Sequence, residues 1–152
     1  MCRAVDNAWK TAIGRTEPSK PMRYLLRHDF IDLMTDRVLD FGCGRGFDAA
    51  TYMTEKYDPH FFPTKPKGKF DVVACHYVLN VLPKKYECDI MNEIMEYLNK
   101  KGIAYITVRR NIKKQGYTAK GTYQRNVVLT GVPSVYRDSD MEIYQVGKIS
   151  PT

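Results

Sequence analysis

The sequence predicts an α/β fold with a largely parallel sheet, and three observations carry that reading. Short β-branched apolar runs recur at 37–41, 70–77 and 103–108, each the length of a buried strand. Segments with helical spacing of apolar residues stand between them, at 47–56 and 84–100. A glycine-rich turn, Asp40-Phe41-Gly42-Cys43-Gly44-Arg45-Gly46, joins the first strand to the first of those helices. Strands that alternate with helices pair in parallel, and right-handed crossovers put helices on both faces of the sheet. The 152 residues are read as one domain, 1–152. It divides into an N-terminal helical extension (1–36), a ligand-binding core (37–110), and a basic loop with C-terminal strands (111–152).

The elements follow in chain order. Residues 1–17 are polar and mixed, an ordered extension or short helix with Ala8, Trp9, Ala12 and Ile13 on one side. Ser19 can cap a helix and Pro21 fits its first turn, so a helix carrying Met22, Leu25 and Leu26 runs to about His28. Phe30, Ile31 and Leu33 are expected beneath the sheet. Arg37–Phe41 is the first strand, and a helix from about Phe47 to Lys56 follows the glycine turn. Tyr57 to Phe62 reads as a brief second strand or loop, and PTKPKGK as an exposed turn. FDVVACHY, Phe70 to Tyr77, is uninterrupted enough for a central parallel strand. Val78 to Pro83 is a loop or short helix. Over 84–100, Tyr86, Ile90, Ile94, Tyr97 and Leu98 fall on one helical face, and Gly102 stands where a helix terminator belongs. Ile103–Val108 is another strand. The segment RRNIKKQGYTAKGTYQR has neither period, and Val127–Leu129 and Glu142–Val146 read as two terminal strands.

Composition narrows the function. Hydrophobic residues make up 43% and charged residues 27%, ordinary for a water-soluble globular chain. No apolar run approaches the roughly 18 residues of a membrane span, and MCRAVDNAWK lacks a secretory apolar core, so a cytoplasmic protein without a membrane partner is expected. Cys2, Cys43, Cys75 and Cys88 show no metal spacing, nor do His28, His60 and His76; free thiols and no metal are expected. The net charge of +7 is localised: residues 97–137 hold Lys100, Lys101, Arg109, Arg110, Lys113, Lys114, Lys120, Arg125 and Arg137 and no acid. A basic region of that kind suits an anionic partner.

Ligands of open parallel sheets bind at the carboxyl ends of the strands. That rule brings Gly42–Gly46, Asp58–His60, Cys75–Tyr77 and Arg109–Arg110 to one rim. Gly42, Gly44 and Gly46 permit positive φ and close approach of a ligand. Asp58, 18 residues after Asp40, stands where an acid that holds a ribose is expected. The spacing is GxGxG, not the GxGxxG of dinucleotide folds, and no GxxxxGK[ST] triphosphate loop occurs.

VLDFGCGRG resembles the first motif of class I S-adenosylmethionine (SAM) dependent methyltransferases, FDVVACHYVLNVLP their fourth strand and following turn, and GIAYITVRR their fifth strand. TAIGRTEPSKPMRYLL, FGCGRGFD, YDPHFFP and HYVLNVLP also resemble a group of small methyltransferases from phages and from bacterial DNA-phosphorothioation gene neighbourhoods. The resemblance implies a reduced Rossmann-like sheet, mostly parallel with a C-terminal antiparallel strand, and SAM as cofactor. It places Asp40 near the methionine amino group, and Gly42, Cys43, Gly44 and Gly46 along methionine and ribose. Asp58 would lie on the ribose hydroxyls, Cys75 and His76 beside the sulfonium, and Arg15 on the carboxylate. Only residues 62–70 separate Phe61 from Asp71, and no Asp or Glu lies there. The third strand is therefore expected to be missing, leaving adenine to backbone groups or to Tyr57, Phe61 or Phe62.

The expected acceptor is a nucleic acid, DNA or RNA, or a nucleotide. Arg109, Arg110, Lys113, Lys114, Lys120 and Arg125 can neutralise phosphates while Tyr117 and Tyr123 stack on bases. The alternatives are a small-molecule or protein acceptor, or a SAM-binding module without catalysis. The fourth strand lacks [DN]PP[YFW], and no cysteine follows a proline, which counts against exocyclic-amine and cytosine-C5 chemistry. His76, then His60, are the candidate bases.

Overall fold

The computed structural model describes residues 2–147; residue 1 and residues 148–152, the ends of the 1–152 unit, lie outside the described residues. The chain begins with α1 (Arg3–Asn7), a 3-10 turn (Ala8–Thr11) and α2 (Lys20–Arg27). The Ser19 hydroxyl caps α2 by accepting from the Met22 N–H, as the Ser19–Pro21 pattern predicts. Strand β1 is Val38–Phe41, α3 is Phe47–Tyr52, and β2 is Glu55–Tyr57. Strand β3 (Phe70–His76) leads through 3-10 turns at Leu79–Val81 and Lys84–Tyr86 into α4 (Glu87–Tyr97). Strand β4 (Leu98–Arg109), the hairpin strands β5 (Gly116–Tyr117) and β6 (Tyr123–Gln124), and β7 (Ser134–Arg137) and β8 (Met141–Gly147) complete it.

The six-stranded sheet has the order β2-β1-β3-β4-β8-β7. The first four strands run parallel; β8 is antiparallel to β4, and β7 to β8. This is the reduced α/β sheet the sequence predicts. Among the described residues no strand lies beyond β2, so β2 is an edge and the sheet lacks a third strand on that side, as the short 62–70 interval predicts.

Alternation along the strands divides the core between two faces. Leu39, Phe41, Val73, Cys75 and Ile106 pack with Ile94 of α4 on one. Val38, Val72, Ala74 and Tyr105 pack with Met22 and Leu25 of α2 on the other. Each fully buried Leu or Ile contributes roughly 1.5–3 kcal/mol relative to exposure, so these layers fix the register that delivers the strand ends to one rim.

Several element boundaries depart from expectation. Helix α3 stops at Tyr52 because Met53 takes a left-handed conformation (φ 56°). The chain can then pair Glu55–Tyr57 with Leu39–Phe41, so the second strand precedes most of the expected 57–62 range. Helix α4 ends at Tyr97, and Gly102 lies inside β4. There a Cβ would stand 3.0 Å from the Phe70 carbonyl, so the glycine serves strand packing rather than helix termination. Val127–Leu129 is irregular rather than a strand, and the strand that pairs with β8 is β7, at Ser134–Arg137. Ile31 is buried as expected, whereas Leu33, Trp9 and Ile13 are exposed.

Candidate active site

The glycine turn is shaped by contacts that exclude side chains. Gly42, Gly44 and Gly46 have φ of 74°, 56° and 81°. A Cβ on Gly42 would lie 2.3 Å from a Val78 methyl, and one on Gly46 2.9 Å from the Phe62 ring. The N–H groups of Gly42 and Cys43 both donate to the Tyr57 carbonyl, at 2.8 and 3.1 Å, tying the turn to the end of β2.

That tie sets Asp58 beside the loop. Its carboxylate accepts from the backbone N–H of Gly44 (2.9 Å), His60 (2.9 Å) and Phe61 (3.1 Å). It therefore holds two turns together as well as lining a cavity of about 910 Å³ at the strand ends. Asp40, Gly42, Cys43, Gly44, Gly46, Arg15, His60 and His76 also line this cavity. A volume of this order suits a nucleoside-sized molecule.

Asp40 is buried and makes no side-chain hydrogen bond among the described residues. Burial, reinforced by the Asp48 and Asp58 charges, pushes its carboxyl up to about 8, against a smaller pull from Arg15. Arg15 is half-buried in the same cavity and forms no ion pair among the described residues. The Asp40 carboxyl and the Arg15 guanidinium thus face one space. Asp48, whose role the sequence reading passed over, is buried and accepts from both the N–H and the hydroxyl of Ser19. It locks the start of α2 onto α3, which brings the segment carrying Arg15 over the loop.

The two histidines differ. His76 ends β3, with Nδ1 2.8 Å from the Thr107 hydroxyl and Nε2 buried without a partner among the described residues. Burial lowers its pKa to about 4, so the ring is neutral at pH 7. His60 lies beyond β2, two strands away and so on the order of 10 Å distant across the sheet. It is exposed and stacks on Trp9 at 4.4 Å. Cys43 lines the cavity with its thiol pushed up to about 12 by burial. Cys75 corrects the expectation: strand alternation turns it into the α4-side core, fully buried and away from the cavity lining.

Residues that spacing could not reveal complete the lining. Trp9 is brought in from the N-terminal segment, and Tyr77 holds a positive φ of 62° just after β3. Asn80 is buried; its amide donates to the Arg109 and Arg125 carbonyls and its carbonyl accepts from the Arg109 N–H. The only sequence signal for Asn80 is a lone amide within the apolar run VLNVL.

The basic segment forms the β5–β6 hairpin and is less free than its sequence implies. Arg125 is buried, donating to the Leu82 carbonyl at 2.6 Å and pairing with Glu87 at 3.2 Å, so it is a structural cation and not a surface contact. Arg110 pairs with Glu142 at 2.6 Å. The Tyr117 ring lies under the Arg3 guanidinium, its hydroxyl against the Cys2 thiol. Lys113, Lys114 and Lys120 are exposed and unpaired among the described residues, while Arg109 and Tyr123 line the cavity.

Solved structures of similar fold match nearly the whole chain. One is 1,6-didemethyltoxoflavin-N1-methyltransferase from Burkholderia thailandensis, with 1,6-didemethyltoxoflavin and S-adenosylhomocysteine bound (16% identity, 90% of this chain and 94% of that one, TM-score 0.57). Another is the N-methyltransferase NodS from Bradyrhizobium japonicum WM9 with S-adenosylhomocysteine (9%, 95% and 98%, 0.57). A third is magnesium protoporphyrin IX methyltransferase from Synechocystis PCC 6803 with S-adenosylhomocysteine (11%, 95% and 94%, 0.53). No curated protein matches by sequence. The methyltransferase-domain family model matches residues 4–142, so the chain belongs to that family. It is a SAM-dependent methyltransferase by class, as its glycine turn implies.

Proposed function

We propose that this methyltransferase acts on a nucleotide or nucleic-acid acceptor. The observation that carries the reading is the continuity of one cavity from the glycine turn to Arg109, Asn111, Thr122, Tyr123 and Gln124. The exposed Lys113, Lys114 and Lys120 belong to the same segment. A ring beside Tyr123 and phosphates on the lysines would use both chemistries.

The donor supplies a methyl group on a cationic sulfonium. Asp40 receives the methionine ammonium, Arg15 the carboxylate and Asp58 the ribose hydroxyls, and the glycine turn admits the backbone contact that side chains would block. The unpartnered Asp40 carboxyl and unpaired Arg15 fit that group. The chain then contributes mainly position: donor and acceptor are held in line and water is displaced. His76, neutral and hydrogen-bonded to Thr107, is a weak base and takes a proton only from an acceptor that releases one readily.

A small-molecule acceptor is the second reading. It is favoured by the internal pairing of Arg110 and Arg125, which thins the basic surface. Incubation with methyl-labelled SAM and separated nucleic-acid, protein and metabolite fractions decides between them. Label in nucleic acid or nucleotides is expected; label confined to other metabolites or to protein refutes the acceptor assignment. SAM binding without transfer to any fraction refutes catalysis.

A further inference from the structure

The missing third strand leaves the exocyclic amine of adenine without its expected acid, yet the cavity has another wall that can read it. It turns from the α2 side of the sheet, where Asp40 and His76 lie, to the α4 side, where Tyr57 and Phe41 belong to the core. There Tyr57, Leu82 and Ile90 give an apolar surface, two of them buried. Glu93, one turn beyond Asp89 on α4, closes that surface. It is half-buried and makes no hydrogen bond or ion pair among the described residues. Burial first, and then the Glu93 charge, push the Tyr57 phenol up, which places the carboxylate close to the residue preceding Asp58. The α4 part of the lining offers Asp89 and Glu93 and no Lys or Arg, so it would repel a phosphate.

A flat heteroaromatic ring with a peripheral N–H donor and no charge matches an apolar slot edged by the half-buried Glu93 carboxylate, with Asp89 more exposed one turn away. We propose that Glu93 accepts a hydrogen bond from the adenine 6-amino group of the donor, with Tyr57, Leu82 and Ile90 against the ring. Glu93 is thus a cofactor-specificity residue supplied by the helix after β3. The assignment rests on the SAM reading and deepens it. It also accounts for how a sheet that ends at β2 can still distinguish the purine.

The test compares S-adenosylhomocysteine with its inosine analogue, in which a 6-oxo group replaces the amine, by calorimetry. The natural ligand should bind wild type about tenfold or more tightly than the analogue, the scale of one hydrogen bond to a charged group. Glu93→Ala should bring that ratio close to one, and Glu93→Gln, which keeps a neutral acceptor, should fall between. Asp89→Asn should leave it unchanged. An unaltered ratio in both Glu93 variants, no discrimination by wild type, or collapse in Asp89→Asn instead would each overturn the assignment. Binding of neither ligand to wild type would overturn the SAM reading itself, a distinct outcome. Thermal melts confirm that the variants are folded; Glu93 has no bonded partner to lose.

Discussion

Binding of S-adenosylhomocysteine should expel a proton from Asp40. In the free protein burial holds this carboxyl up to about 8, so at pH 7 about 0.9 of the molecules carry it protonated. An ammonium seated against it favours the carboxylate and returns its pKa to the ordinary acid range. Calorimetry at pH 7 in buffers of different ionisation enthalpy should then report release of about 0.9 proton. Affinity should fall about ninefold from pH 7 to pH 6, as the protonated fraction must be cleared first. Asp40→Asn should release no proton and show little pH dependence there. The sign for folding is the reverse of a stabilising acid. A pKa raised from 3.8 to about 8 means stability falls as pH rises through that interval, by up to about 4 kcal/mol at pH 7. Asp40→Asn should therefore melt higher than wild type while binding more weakly. Release below about 0.2 proton by wild type, or undiminished release by the variant, would refute the placement of the ammonium.

Asp58→Ala should weaken S-adenosylhomocysteine binding about 100-fold and, because three N–H groups lose their acceptor, also destabilise the protein by roughly 1–3 kcal/mol, read from ligand titration and urea unfolding. His76 contributes in the opposite sense to Asp40: with its pKa lowered from 6.5 to about 4, stability is present above 6.5 and lost as pH falls through 4. This loss amounts to about 3 kcal/mol, and His76→Phe should remove that component of the pH profile. Charge reversal at Lys113, Lys114 and Lys120 should weaken nucleic-acid binding and flatten its salt dependence without lowering the melting temperature. Arg125→Ala and Asn80→Ala should each cost about 2–4 kcal/mol of stability, since each strands buried partners; an unchanged urea midpoint would contradict their assigned roles.

What could be read from the sequence was whatever a single residue type or a fixed interval dictates. Glycine is demanded at 42 and 46, where a side chain would strike Val78 or Phe62, and the interval from Asp40 to Asp58 spans the excursion that returns the chain to pair beside β1. Other signals were ambiguous because one residue serves two purposes. Gly102 follows a helical run, but close packing on Phe70 keeps it within a strand. Cys75 and His76 are neighbours in sequence, yet alternation sends them to opposite faces. Met53 terminates α3 without any helix-stopping signal of its own. Arg125 looks like its basic neighbours until Glu87 and the Leu82 carbonyl are brought to it by folds in the chain 38 and 43 residues away. Trp9 enters the cavity through tertiary packing against His60, which no local pattern encodes.

Ending the sheet at β2 has a consequence for the exposed edge. A parallel sheet with a bare flank offers unpaired backbone groups onto which another chain can add a strand. Here that flank is three residues long, Glu55 is engaged by Arg37, and the Lys56 ammonium covers the Phe62 ring, while the chain turns away at Asp58. Only a short ladder remains on that edge for a second chain to extend. The same brevity that places a carboxylate at the rim of the cavity leaves the β2 edge little backbone for another strand to pair with.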